Sequence, residues 1–183
     1  MAELDPAFGH WLAGFIDGEG SFNIRRDGAR RRRRAWSTSF ILTVRDDELP
    51  TLEAICAATG LGTIHAKRPA LGANPQVSWE VERLRDQLAL VELLAAHPLR
   101  AKKRHDLAVW AKAVSYRQHM PKGNGRGWRG ELATTANYQR FKELRAELDA
   151  VRAYVPNGAP APTPEPEPEA QTTLDDLWGR AGR

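Results

Sequence analysis

Cysteine is almost absent: Cys56 is the only one among 183 residues. A single thiol excludes an internal disulfide and a cysteine-based zinc site, and it suits a reducing compartment. No stretch approaches the roughly 20 consecutive apolar residues of a membrane span. The N-terminus also lacks the apolar run after a basic start that marks a secretory signal. A cytoplasmic protein with no membrane partner is therefore expected. The five histidines, His10, His65, His97, His105 and His119, show neither HExxH nor any paired-ligand spacing, so each is read as a surface or nucleic-acid-facing side chain. Charge of one sign is also lacking, with 27 basic against 23 acidic residues, net +4. It is unevenly placed, however. After residue 155, five acids stand against two arginines, which leaves +7 over residues 1–155, a moderate electrostatic case for a polyanion partner. Residues 156–183 are rich in Pro, Ala and Glu and read as an extended tail that buries no core. Residues 1–155, in a chain with 42% hydrophobic content, suit one domain.

What is present is concentrated in one stretch, Leu12–Gly20. Asp5 followed by Pro6 is a helix start, and Gly18 and Gly20 are helix stops. Ala13, Gly14 and Gly18 leave a strip without bulky side chains. Glycine inside a helix costs about 1 kcal/mol relative to alanine, a cost usually accepted where a second backbone lies close. Glu19 ends the helix at the negative end of its dipole, where a carboxylate is unfavourable without a cation. Two such helices side by side bring two carboxylates together, a site for a divalent metal. Asp17 is read as holding the helix junction rather than binding metal.

Beyond Gly20 the period changes to two. Phe22 and Ile24 alternate with Asn23 and Arg25 before an Asp27-Gly28 turn. Trp36, Thr38, Phe40, Leu42 and Val44 then alternate with Ser37, Ser39, Ile41, Thr43 and Arg45. Asp46 or Asp47 is expected to cap a helix that Gly60 stops. A second strand pair spans 61–67 and 76–82, with Val77, Trp79 and Val81 on one side. A helix from Asp86 to near Pro98 follows, then helices over 100–119 and about 135–155. The order is α-β-β-α-β-β-α with further helices behind it.

One strand face is polar. Asn23, Arg25, Asp27, Ser37, Ser39, Thr43, His65, Lys67, Gln76, Ser78 and Glu80 line it, and a β-ribbon of this kind can enter the major groove of DNA. The same alternation also describes any half-solvated sheet. The run that includes Arg30, Arg32 and Arg34 reads as a hairpin tip touching phosphates without reading bases. Lys122, Arg126 and Arg129, in a glycine-rich loop, fit the same role.

Leu12-Ala13-Gly14-Phe15-Ile16-Asp17-Gly18-Glu19-Gly20 resembles the motif of the LAGLIDADG homing endonucleases. All nine positions match, with Phe15 for the second leucine, Gly18 for the second alanine and Glu19 for the last aspartate. Trp11 before it and Ser21-Phe22 after it also look like the family. The resemblance implies the α+β LAGLIDADG fold, αββαββα with a four-stranded antiparallel DNA-binding sheet plus C-terminal helices. It implies Mg2+ or Mn2+ as cofactor, and no small-molecule cofactor, with Glu19 and the backbone carbonyl of Gly18 as ligands. It further implies a pocket around the attacking water at Asp46 and at a lysine of the run 100–104, Lys102 in preference to Lys103. Asp46 departs from the glutamine of some members, and as a helix cap it has a structural reading too.

Only one motif copy is present. By resemblance the protein is a homodimer through a helix carrying Trp11, Leu12, Ala13, Gly14, Phe15, Asp17 and Gly18. It would then be a sequence-specific endonuclease of double-stranded DNA, bacterial or phage-encoded. The alternative is a non-cleaving DNA-binding regulator or an intron RNA maturase. An acidic residue at 19 and lysines at 102–103 favour cleavage.

Overall fold

In the computed structural model, residues 4–26, 36–67, 74–119 and 135–153 are described. Asp5 accepts the Ala7 N–H at 3.0 Å and starts helix α1 (Pro6–Glu19), with proline in its first turn. Gly20 closes the last turn on the Ile16 carbonyl and is already extended, so the chain enters strand β1 (Gly20–Arg26) without a loop. A Cβ at Gly20 would stand 2.7 Å from that carbonyl and 2.8 Å from Phe40. Only glycine permits so abrupt a junction.

Strand β2 (Trp36–Arg45) pairs antiparallel with β1, Phe22 opposite Phe40. A 3-10 turn, Asp46–Glu48, separates it from helix α2 (Leu49–Thr59). That turn corrects the expected cap. Neither Asp46 nor Asp47 caps α2; Glu48 holds the position without a side-chain cap bond and accepts the Thr51 hydroxyl at 2.9 Å. Asp47 instead pairs with Arg45, whose guanidinium, by hydrogen bonding, holds the Asp47 carboxyl below its usual range. Gly60, in the left-handed region at φ +68, ends α2, as an αL cap does.

Strands β3 (Thr63–Lys67) and β4 (Gln76–Val81) complete one antiparallel sheet in the order β1-β2-β4-β3. Helix α3 (Leu84–Ala96) begins two residues before Asp86, with Arg83 at the cap position. Helices α4 (Lys103–Gln118) and α5 (Thr135–Arg152) follow. The α+β fold and the antiparallel sheet expected from periodicity are those observed.

Phe22, Ile24, Phe40, Leu42, Trp79 and Val81 face the helices and are completely buried beside Leu12, Ile16, Trp110 and Phe141. Full burial of one such side chain stabilises by roughly 1.5–3 kcal/mol. Exposed ion pairs such as Arg140–Glu143 and Arg145–Asp149 contribute about 0–1 kcal/mol each. Apolar packing therefore fixes the helix layer.

A buried polar cluster adds direction to it. Gln87 donates to the carbonyls of Thr38 (2.7 Å), Val81 (3.2 Å) and Glu82 (3.0 Å) and accepts the Thr38 hydroxyl at 2.7 Å. Arg117 donates to the Thr38 hydroxyl and to Gln87 Oε1 at 3.2 Å. Burial pushes its guanidinium down to about 10, still charged at neutral pH. This cluster ties α3 and α4 to β2.

Helix α5 lies against β1, an edge strand. Arg145 donates to the Ile24 carbonyl at 2.9 Å, and Arg152 to the Phe22 carbonyl at 2.5 Å and to Asp106 at 2.7 Å. Two carbonyls that an edge strand would leave open are thereby covered.

Candidate functional site

The end of α1 meets the start of α4. Of the four carbonyls that a helix leaves unpaired at its C-terminus, Ile16 O receives the Gly20 N–H. Asp17 O and Gly18 O receive Lys103 Nζ at 3.1 and 3.0 Å. An ammonium there also offsets the negative end of the helix dipole. Lys102 points elsewhere: its Nζ donates to the Ala153 carbonyl at 3.2 Å. Of the two lysines, Lys103 is the one brought to Gly18. An ammonium has three donors; the third N–H of Lys103 has no partner among the described residues.

Glu19 is exposed and makes no hydrogen bond or ion pair among the described residues. Its carboxylate and the Gly18 carbonyl are hard oxygen donors, the type that Mg2+ and Mn2+ take. Among the described residues no three His, Cys, Asp or Glu side chains gather as a metal site. One chain therefore supplies one carboxylate and one carbonyl here, and a second copy would double that set. The donors fit the metal in kind, and in number only as a pair. Asp46 is exposed and directly follows β2, at the end of the sheet where Gly20 pairs with Leu42. Its N–H donates to the Pro75 carbonyl at 3.2 Å.

The outer face of α1 carries Trp11, Gly14 and Gly18, all exposed, with Phe15 half-buried. Trp11 stacks on Phe15 at 5.4 Å between ring centroids and is 45% exposed. A Cβ built on Gly14 or Gly18 meets nothing within 4 Å. Leu12 and Ala13 do not share this face. Both are buried in the core of the same chain, which corrects their place on the expected interface. Asp17 is half-buried and turned inward: its Oδ2 accepts the N–H groups of Arg100 (2.6 Å) and Ala101 (2.8 Å). Within α1 the tight glycine contact lies at Gly9, where a Cβ would stand 2.4 Å from the His97 ring.

The sheet face away from the helices assembles the expected polar set. Asn23 lies opposite Ser39, Arg25 opposite Ser37, Thr43 opposite Ser78, His65 opposite Ser78 and Lys67 opposite Gln76. Glu80 stands opposite both Ile41 and Thr63. Arg25, His65, Lys67 and Gln76 are exposed, and Lys67 donates to the Thr43 hydroxyl at 2.8 Å. Two of the set are turned into the sheet. Asn23 is buried and donates to the Ser21 carbonyl at 3.0 Å, while Ser78 is fully buried and donates to Glu80 at 2.7 Å. Their polar atoms are engaged within the chain. Arg45, absent from the expected set, shares this face opposite Gln76; its place in the alternation is the signal that finds it. Asp27, Arg30, Arg32, Arg34, Lys122, Arg126, Arg129 and residues 156–183 lie outside the described residues.

An antiparallel four-stranded sheet backed by helices, with a helix running straight into its first strand, has known counterparts. Residues 12–114 match the family model described as LAGLIDADG endonuclease, and this chain belongs to that family. It is 23% identical over 150 residues to the probable intron-encoded endonuclease Cox1-I1b of Schizosaccharomyces pombe, covering 82% of this chain and 35% of that protein. The chain thus spans about a third of that relative, a fungal protein rather than a bacterial or phage one. Among solved structures it is similar in fold to the LAGLIDADG meganuclease I-AabMI bound to uncleaved DNA, with TM-score 0.61, 23% identity, and coverage of 78% of this chain and 44% of that one. It is also similar to I-SmaMI bound to cleaved DNA, with TM-score 0.62, 19% identity, and coverage of 81% and 45%. For the homing endonuclease I-TnaI the values are 0.58, 19%, 82% of this chain and 99% of that one. Among the described residues no helix is long and apolar enough to cross a membrane.

Proposed function

We propose that the chain is one protomer of a homodimeric, divalent-metal-dependent endonuclease that cuts both strands of a double-stranded DNA target, as a homing endonuclease does. One observation supports the reading: the Lys103 ammonium reaches the Gly18 carbonyl at 3.0 Å at the end of α1, next in sequence to the exposed Glu19. Coverage supports the dimer. The chain accounts for under half of the DNA-bound I-AabMI and I-SmaMI chains but for nearly all of I-TnaI. The exposed strip at Trp11, Gly14 and Gly18, where a Cβ at either glycine meets open space, is the surface on which a second α1 would pack.

In this reading Glu19 and Gly18 O of each copy hold Mg2+ or Mn2+, which when bound supplies charge neutralisation at the phosphate and an activated water. Lys103, with one donor unused among the described residues, offsets charge on the phosphate oxygens. Asp46 sits at the rim, where it can orient water. Arg25, His65, Lys67 and Gln76 face the major groove: arginine suits guanine and glutamine suits adenine. The run Arg30–Arg34 adds sequence-independent phosphate contacts. Residues 1–155 are the functional unit, and 156–183 are dispensable for it.

Glu19→Gln tests the centre of this reading. The substitution keeps size and removes the charge that holds the cation. DNA affinity and dimerisation should survive, whereas cleavage in Mg2+ should fall by several orders of magnitude. A variant that cuts at the wild-type rate moves the active site elsewhere. A wild type that binds DNA or a structured RNA but cuts neither strand makes the chain a regulator or maturase.

A further inference from the structure

We propose that Asp17 is the positioning residue for Lys103, setting which side chain of the 100–104 run reaches the end of α1; the inference rests on the reading of Lys103 as part of a nuclease site. Helix α4 lacks a cap of its own. Lys102 occupies the cap position in helical conformation, with no side-chain cap bond. The acceptor comes from 83 residues away, where Asp17 Oδ2 takes the Arg100 N–H at 2.6 Å and the Ala101 N–H at 2.8 Å. A carboxylate in the last turn of a helix is unfavourable by the helix dipole, so Asp17 is poorly placed for α1 itself. It is well placed for α4.

The return contact runs the other way, from Lys103 Nζ to the carbonyls of Asp17 and Gly18. Asp17 and Lys103 thus tie the end of α1 to the segment that leads into α4. Successive helical residues are rotated by about 100°, so a shift of one residue at the entry of α4 would present Lys102 or Arg104 to Gly18 instead. Pinning the two preceding N–H groups to one oxygen fixes that rotation. Asp17 Oδ1 is buried and has no hydrogen-bond partner among the described residues; Oδ2 alone makes both bonds.

The test uses the full chain with 15N-labelled lysine side chains, with the Lys103 ammonium signal assigned by its loss in Lys103→Met. Held on two carbonyls, that ammonium exchanges slowly and gives a sharp signal in the wild type. Asp17→Asn keeps one carbonyl oxygen able to accept both N–H groups, and the signal should persist. Asp17→Ala removes the acceptor, and the signal should vanish while the backbone amide spectrum stays folded; if alanine does not fold, Asp17→Ser, too short to reach both donors, serves in its place. A signal unchanged in the alanine or serine variant overturns the proposal, as does one lost in Asp17→Asn. In cleavage, the Asp17→Ala/Lys103→Met double variant should cut no more slowly than Lys103→Met alone, and multiplying losses would overturn it too. A wild type that cuts no DNA while the signals behave as stated ends the nuclease reading and supports this positioning.

Discussion

Replacing Gly14 and Gly18 by alanine should move two properties in opposite directions. Both positions are exposed on α1, and a Cβ at either meets nothing within 4 Å. Within one protomer the methyl groups cost no packing, and they remove the conformational penalty of glycine, about 1 kcal/mol at mid-helix. Gly18 lies one residue before the helix end, so its share is smaller. A gain of roughly 1–2 kcal/mol corresponds to about 2–4 °C in Tm per kcal/mol for a domain of this size. If a second α1 packs on this strip, the same methyls overpack the dimer by about 1–3 kcal/mol each. Every 1.4 kcal/mol is roughly tenfold in dissociation constant. The double variant should therefore melt higher as a monomer and dissociate at least about tenfold more readily. Dimer strength is read by sedimentation over a dilution series, and Tm below the dissociation concentration, because association itself raises Tm. Gly9→Ala is the control. Its Cβ would stand 2.4–2.6 Å from the His97 ring, so the protomer should lose about 1–3 kcal/mol. Alanines at 14 and 18 that raise Tm and leave the dimer as tight as before would refute the interface. No gain in monomer stability would refute the open surroundings of both glycines.

Two further outcomes follow from named contacts. Lys103→Met should reduce cleavage of a supercoiled target by about 10²–10⁴-fold, the usual range for a positioned electrostatic or proton-transfer group. Lys102→Met, whose ammonium reaches the Ala153 carbonyl rather than Gly18, should stay within about threefold of wild type in the same nicking assay, and the reverse order would refute the register. Replacing Arg145 and Arg152 by methionine leaves the Ile24 and Phe22 carbonyls open on β1. With hydrogen bonds to charged groups contributing about 1.5–3 kcal/mol when buried, and less for these partly exposed side chains, the pair should lose roughly 2 kcal/mol. Hydrogen exchange in α5 and along β1 should rise first; unchanged protection there would show that α5 is held by its apolar stripe alone.

Local rules made the fold legible. Strict alternation from Trp36 to Arg45 predicts which face is buried, and the register places each expected polar partner across the sheet. Gly60, Asp5 and Pro6 act within one helical turn of where they stand, so their signals survive without tertiary context. The start of α2 differs from the expectation for the opposite reason. Asp46 and Asp47 are good cap residues, but a 3-10 turn intervenes and Arg45 engages Asp47, a competition that composition does not reveal.

The site divides along the same line. Glu19 and Gly18 belong to one continuous helix end; the exposed carboxylate is legible from its place in the helix, and the role of the Gly18 carbonyl is implied only by the family resemblance. The phase of that helix does not. Leu12 and Ala13 adjoin Gly14 in sequence yet turn into the core, because burial of α1 centres on Gly9, Leu12, Ala13 and Ile16. A run of small residues cannot say which of them faces the partner; the aromatic stack of Trp11 on Phe15 marks the outer side only once the core is known. The lysine is harder still. Lys102 and Lys103 are chemically equal neighbours, and the choice between them is made by the rotation of α4, set where Arg100 and Ala101 meet a carboxylate 83 and 84 residues earlier. No pattern within the 100–104 run encodes that choice. Asp17 reads from the sequence as a junction residue, and the structure supplies the reason: a carboxylate inside the last turn of α1 is unfavourable for that helix and instead accepts the Arg100 and Ala101 N–H groups. The residue that conflicted with its own helix therefore pointed to the contact that orders the site.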